Sequence, residues 1–361
     1  MRRVLFALLT ACVAAGVNIT SALACGGLVA PNGAVRLDQA TTFVAYHDGI
    51  ERYLTSFSYQ GAVTNVGWIV PLPAVPTKVE EGGGWTLQRL EREVNPPAVA
   101  DFAAAEAPSA AGVQVLQQVQ VRALDITILK GAGQDVVDWC KTNHFELNDE
   151  TRAHLLTYAS MSPIFMAAKY DVSRALATGQ LSGDGAPVLI TMPVAHPWVP
   201  LEILANAHDP VNADLFLLTD MPLHTGGELF SFLSPEGQEL PGAPGFQVVR
   251  QEPMNASLFH DLSTDKNMGW VPSSGWLTYL HLGASSDSVT YDMTVTAAGT
   301  MRLASFGTSL TSAAEAAVAL APFQPTTPVA GALSVVIAPM ALIGVVVVFT
   351  WRRRSRRAAV R

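Results

Sequence analysis

Thr42–Tyr59 reads TFVAYHDGIERYLTSFSY. Two runs of aromatic and β-branched residues, Thr42–Tyr46 and Tyr53–Tyr59, flank His47-Asp48-Gly49. That is the pattern of two strands joined by a turn. Downstream, Ala62–Pro73 reads AVTNVGWIVPLP, and prolines at 71, 73 and 76 predict an edge strand running into an extended arm, with Trp68 packed on the core. Val113–Val121, Leu124–Leu129, Ile164–Tyr170, Pro187–Met192, Leu201–Ala205, Leu215–Leu218, Leu277–Leu282 and Val289–Val295 also read as strands.

Helical spacing interrupts these runs in three places. Leu87, Leu90 and Val94 repeat on one face after Glu80-Glu81-Gly82-Gly83-Gly84, a stretch that reads as a flexible hinge. Gln134–Asn143 and Glu146–Met161 are the other two helices, and Thr225–Trp270 reads as mixed loops. Strands grouped around a helical middle predict an α+β fold of mostly antiparallel β-sheets with a small helical segment, in one lobe or two packed lobes.

Both ends of the chain carry signals of location. Met1–Ala24 has a basic start (Arg2, Arg3), an apolar stretch and small residues at Ala22-Leu23-Ala24, the layout of a secretory signal cleaved before Cys25. Lipidation of Cys25 and an uncleaved anchor are the alternatives. Val329–Trp351 has no charged residue, and about 20 apolar residues suffice to cross a hydrocarbon core of ~30 Å. Arg352, Arg353, Arg354, Arg356 and Arg357 follow it at once and predict a cytoplasmic tail. The expected organisation is a signal peptide (1–24), an extracytoplasmic domain (25–309), an Ala/Pro/Thr-rich stalk (310–328), a transmembrane helix (329–351) and a basic tail (352–361). Pro339 within the span is tolerated where neighbours satisfy the freed carbonyl. Ala330, Ser334 and Ala338 form a small-residue seam through which two copies could pair.

Charge and cysteine content narrow the function classes. The chain has 22 Lys+Arg against 30 Asp+Glu. Setting aside Arg2, Arg3 and the six arginines after the apolar run leaves an outer part that is strongly acidic, which argues against nucleic acid as a partner. With Cys12 in the signal, Cys25 and Cys140 remain as a candidate disulfide. Closing so long a loop is worth roughly 4–5 kcal/mol in the chain-entropy model. Inert thiols, or a metal pair of Cys140 with His144, are the alternatives.

No motif that carries chemistry stands out. The eight histidines form no paired metalloprotease motif, and no G-x-S-x-G elbow occurs. His208-Asp209 and His260-Asp261 read as loop pairs, since sequence neighbours diverge on a strand. Asp209, Asn212 and Asp214 lack EF-hand spacing. The glycines at 82–84 lack the lysine of a phosphate loop. No catalytic residue, cofactor or metal ligand is assigned. Gly67-Trp68-Ile69-Val70-Pro71 and Met268-Gly269-Trp270-Val271-Pro272 look alike and read as two tryptophans closing separate cores, with two halves of a distant repeat as the alternative.

Several segments together resemble the uncharacterised bacterial family catalogued as domain of unknown function 2330. They are Ala24-Cys25-Gly26-Gly27, the strands of Thr41–Gly61, Gly67-Trp68-Ile69-Val70-Pro71-Leu72-Pro73-Ala74-Val75-Pro76, Val121–Phe145 and Pro187–Asp220. The resemblance implies an exported protein, often with a membrane span, and implies no activity or ligand. The function expected is a membrane-anchored, non-catalytic module that binds or organises an envelope component or partner protein. The alternatives are a cell-surface hydrolase whose catalytic groups meet only in the fold, and a sensor or scaffold that dimerises through its span.

Overall fold

The computed structural model describes residues 27–29, 36–60, 65–94, 114–177, 179–180, 185–205, 210–225, 228–229, 237–296 and 298–304. The expected signal, stalk, apolar run and arginine tail lie outside these residues, as do residues 95–113. The chain divides into two units, Met1–Phe323 and Gln324–Arg361, and every described strand and helix lies in the first.

In chain order the strands and helices are β1 (Gly27–Val29), β2 (Arg36–His47), β3 (Ile50–Gln60), β4 (Asn65–Leu72), β5 (Lys78–Glu81), α1 (Thr86–Val94), β6 (Gln114–Val121), β7 (Leu124–Lys130), α2 (Gly133–Thr142), α3 (Asp149–Ala159), β8 (Ile164–Asp171), α4 (Val172–Ala177), β9 (Val188–Pro193) and β10 (Trp198–Val199). There follow β11 (Val211–Thr219), β12 (His224–Thr225), β13 (Glu228–Leu229), β14 (Gln238–Glu239), β15 (Phe246–Pro253), α5 (Ala256–Thr264), β16 (Trp276–Ala284), β17 (Asp292–Val295) and β18 (Met301–Ala304). The fold is therefore sheet-rich α+β, and its strand pairs are antiparallel except for β2 beside β11.

The opening hairpin forms as its residues dictate. Asp48 and Gly49 both take positive φ (51° and 74°), the conformation that lets a two-residue turn follow the twist of its strands. β2 and β3 then pair from His47↔Ile50 outward and sit in an eight-stranded sheet ordered β14-β15-β16-β11-β2-β3-β9-β5. A five-stranded sheet, β1-β4-β8-β7-β6, packs on it. Between the two lies the main core, where Val44, Tyr53 and Phe57 of one sheet meet Trp68, Val70, Ile128, Met166 and Tyr170 of the other.

Each sheet buries its second face under helices. α2 and α3 place Val136, Val137, Cys140, Leu155 and Tyr158 over Ile69, Leu129 and Phe165 of the smaller sheet. α1 and α5 place Leu87, Leu90, Leu258 and Leu262 over Phe43, Leu54, Phe216 and Leu218 of the larger one. The result is four layers, helix–sheet–sheet–helix. Trp68 is fully buried in the inter-sheet core, while Trp270 closes the α1/α5 layer by stacking on Phe43 at 6.2 Å. The two tryptophans do serve separate cores.

Four local expectations need correction. β4 is not an edge strand: β1 pairs with Gly67–Ile69 and β8 with its whole length. Pro71 is accommodated because it stands opposite Phe165 of β8, beyond the three residues that β1 covers. Leu201–Ala205 is a bend with a 3-10 turn at Glu202–Leu204, since the N–H groups of Leu201 and Glu202 donate to one carboxylate, that of Asp292, instead of to a strand. Thr225–Trp270 contains β15 and α5, the latter capped by Asn255, whose side chain accepts from Leu258 N at 2.8 Å. Finally, Gly82 and Gly83 are buried and close-packed; a Cβ on Gly82 would lie 2.1 Å from Leu54 Cδ1. Glycine there serves close approach, not flexibility.

Candidate functional site

Polar side chains of catalytic type gather in two places. The first is the helix-covered face of the large sheet, one row beyond the apolar residues under α1 and α5. Strand alternation puts Thr41, Asp214 and His281 on the same face as Phe43, Phe216 and Tyr279. Register brings them level: Asp214 stands opposite His281 on one side and Thr41 on the other. Asp214 is buried, and its Oδ1 accepts from Tyr279 Oη at 2.7 Å and from His281 Nδ1 at 2.9 Å. Thr41 Oγ1 donates to Glu91 of α1.

A carboxylate that accepts at Nδ1 leaves the imidazole's lone pair on Nε2. The His281 side chain is 35% exposed, so the ring is partly open to solvent. Gly283, the next residue on this face, leaves the ring its room: a Cβ there would sit 3.2 Å from Nε2. Asp214 and His281 thus reproduce the orienter and base of a hydrolytic triad. No hydroxyl or thiol among the described residues is hydrogen-bonded to Nε2.

The second place is the connection from Val194 to Ala205, which is stitched by two buried carboxyls. Glu51 is fully buried on the inter-sheet side of β3; its Oε2 accepts from Trp198 N at 3.3 Å, and its Oε1 has no partner among the described residues. Burial pushes this carboxyl well above the usual range, against a smaller opposing effect of the Trp198 N–H. Asp292 takes three donors at Oδ1: Leu201 N at 2.7 Å, Tyr158 Oη at 2.8 Å and Glu202 N at 3.0 Å. Its Oδ2 has none among the described residues. Burial raises its pKa to about 7, the donors notwithstanding. Tyr158 in turn accepts from Ile203 N at 3.2 Å and meets the Trp198 ring edge-on at 5.8 Å. The polar groups of this cluster hold backbone, which is a structural task.

Other histidines form separate contacts. His47 pairs with Asp220 at 2.7 Å on the surface, and His154 lies 3.5 Å from Glu202. His196 is held below its usual range by burial and by Arg302. His260 is exposed on α5 while its neighbour Asp261 pairs with Arg89 at 2.8 Å, so those two make no base–orienter pair. His208 and Asp209 lie outside the described residues. No group of three or more His, Cys, Asp or Glu among the described residues is arranged to hold a metal ion.

The Cys140 thiol is buried in the α2/α3 layer, and burial pushes it up to about 12, so it is unreactive as a nucleophile. It is a free thiol in this structure; Cys25, its expected partner, lies outside the described residues. His144 is exposed and sits past the end of α2 with φ 63°, whereas Cys140 is buried. Arg352, Arg353, Arg354, Arg356 and Arg357 also lie outside the described residues. No helix among the described residues is long and apolar enough to cross a membrane.

Sequence reasoning missed the Asp214–His281 pair because its members lie on strands far apart in the chain. The available signal was a histidine inside the apolar run of β16, LTYLHL, at a position whose alternation points under the helix layer.

Fold and site together define a sheet-rich α+β protein whose histidine–carboxylate pairs are dispersed across a four-layer sandwich. Residues 19–226, more than half of the chain, match the family described as "Uncharacterized protein conserved in bacteria (DUF2330)", and the chain belongs to that family. No curated protein matches it. Among solved structures it is similar to the crystal structure of baculovirus P35, at 9% identity and a TM-score of 0.37, covering 72% of this chain and 96% of that one. A likeness at that TM-score carries no argument about function.

Proposed function

We propose that the protein is a membrane-held, extracytoplasmic module that binds an envelope component or partner protein without catalysing a reaction on it. The observation that carries the non-catalytic reading is the dispersal of its polar groups. Asp214 with His281, Asp220 with His47 and Glu202 with His154 are separate pairs, and Glu51 and Asp292 hold backbone N–H groups. Catalysis by a nucleophile and base needs such groups to converge within hydrogen-bond reach of one reacting atom. The tether is supported by Val329–Trp351, and its direction by the arginines that follow.

Protease added to intact cells carrying a C-terminally tagged chain tests the topology. The expected result is removal of the sandwich with a tagged, membrane-retained fragment left behind. Full protection until the cells are lysed overturns the reading. The Asp214–His281 pair favours a second reading, a cell-surface hydrolase. Turnover of ester, amide or glycoside probes by the full chain, lost in a folded His281→Ala variant, would put that reading first.

A further inference from the structure

In a chain with a formal net charge of −8, arginines find carboxylates readily. Arg89, Arg122, Arg152, Arg174 and Arg250 each pair with an Asp or Glu at 2.5–2.8 Å. Arg52 does not. It is half-buried on β3, and strand alternation puts it on the helix-covered face with Leu54. Its guanidinium carbon lies 4.8 Å from the centroid of the Trp270 ring. Among the described residues, no acceptor takes a hydrogen bond from it and no carboxylate pairs with it. Burial holds its pKa below the usual arginine value, and no anion offsets that effect. A guanidinium has five N–H donors, and its planar fork can meet a carboxylate in two parallel bonds while a ring lies against its face.

The surroundings select the anion. Arg52 stands opposite Thr191 of β9. One row inward, Leu54 faces Leu189, and both are fully buried. One row outward, Ile50 faces Pro193, and both are half-buried. Lys78 stands on the far side of Thr191 but is taken by Glu80 at 2.7 Å. His47, opposite Ile50, is taken by Asp220 at 2.7 Å and lies 3.3 Å from Asp48. These rows therefore offer one unpaired positive charge, which matches a carboxylate better than a phosphate carrying nearly two negative charges. We infer that Arg52, seated on Trp270, is a recognition site for a carboxylate presented by a protein partner, at a chain terminus or on an acidic side chain. A protein segment brings apolar neighbours to the Ile50–Pro193 rim. A sugar acid would bring ring hydroxyls that this rim leaves without partners. The inference rests on the binding reading and gives it a specific contact.

The test is ligand-observed saturation-transfer NMR on the full chain in nanodiscs, with empty nanodiscs as background. N-acetyl-leucine presents a chain-terminal carboxylate, and N-acetyl-glutamate methylamide presents a side-chain one. At least one of them should give a saturable signal, and the stronger identifies the source. N-acetyl-leucinamide, which lacks the carboxylate, should give none. Arg52→Gln should weaken binding by about tenfold, the usual scale for a charge-assisted hydrogen bond. Arg52→Lys keeps a cation over the indole, which guards the fold, and should still lose several-fold because an ammonium cannot make the two parallel bonds. Thermal melting of each variant separates loss of the site from loss of the fold. Equal signals from acid and amide, binding unchanged in a folded Arg52→Gln, or tighter binding of glucuronate or inorganic phosphate than of either peptide acid overturns the inference. Failure here would leave the protease test of topology standing, so the two readings fail separately.

Discussion

Replacing Asp292 by Asn should reverse part of the chain's response to pH. The carboxyl is fully buried, and its pKa stands at about 7 instead of the ordinary value of 3.8. A raised folded pKa means that the native state holds the proton more tightly than the unfolded chain does. Its contribution to stability is complete below about 3.8 and is lost as pH rises through about 7. At about 1.36 kcal/mol per pKa unit, the whole shift corresponds to about 4 kcal/mol, of which about 3 kcal/mol falls between pH 5 and pH 8. Asparagine keeps an acceptor for Tyr158 Oη and the N–H groups of Leu201 and Glu202 but does not ionise. Other titrating groups, Glu51 with its raised pKa among them, remain in both proteins and cancel in the difference. Urea denaturation of wild type and Asp292→Asn at pH 5, 6.5 and 8 should show the variant gaining about 3 kcal/mol on the wild type across that window. A difference that stays flat with pH would mean that Asp292 remains ionised inside the fold, and the account of this cluster would be wrong.

Local geometry sets three further outcomes. His144→Gly should stabilise the protein by about 1 kcal/mol, because His144 takes the left-handed position of a helix-ending motif, with Phe145 N on Cys140 O at 2.8 Å and His144 N on Lys141 O at 3.1 Å; thermal melting reads the gain, and a loss refutes it. Gly83→Ala should cost about 2 kcal/mol or more, since its Cβ would fall 2.3 Å from Thr86 Oγ1 and 2.4 Å from Asp265 Oδ2, the carboxylate that caps α1 through Trp85 N, Thr86 N and Thr86 Oγ1; an unchanged urea midpoint would count against a rigid junction. Cys25 and Cys140 should resist alkylation until reduced. Gly27 stands opposite Ile69, which shares the α2/α3 cluster with Cys140. Two alkylated thiols in the exported, unreduced, unfolded chain would exclude the bond.

Much of the architecture was legible where a residue's own conformational preference agreed with its surroundings. Asp48-Gly49 marked a hairpin because few other pairs accept two positive φ angles, and Leu87, Leu90 and Val94 marked α1 because that spacing leaves one apolar face to bury. Legibility failed where a distant group decided the local structure. Leu201–Ala205 has strand composition, yet Asp292 draws two successive N–H groups onto one oxygen. β15 hides its alternation behind an irregularity between Val248 and Arg250. Pro71 pointed to an edge, and only the three-residue length of β1 explains why β4 can lie inside the sheet. The candidate site was the least legible part. Asp214 and His281 become neighbours through the register of β11 and β16, and no spacing along the chain announces it.

The parallel seam between β2 and β11 also bears on how the molecule is made. It ties Thr41–Tyr46 to Asp214–Thr219, and two parallel strands cannot be joined by a hairpin. During synthesis the β2–β3 hairpin can close as soon as its own residues have emerged. The far edge of β2, Thr41–Tyr46, must then wait for Thr219. An arrested or nicked chain ending before Val211 would leave that edge unpaired, an aggregation hazard for as long as it persists. Vulnerability is thus concentrated in the interval of biogenesis, and any holdase that shields the nascent chain should act chiefly on that one strand.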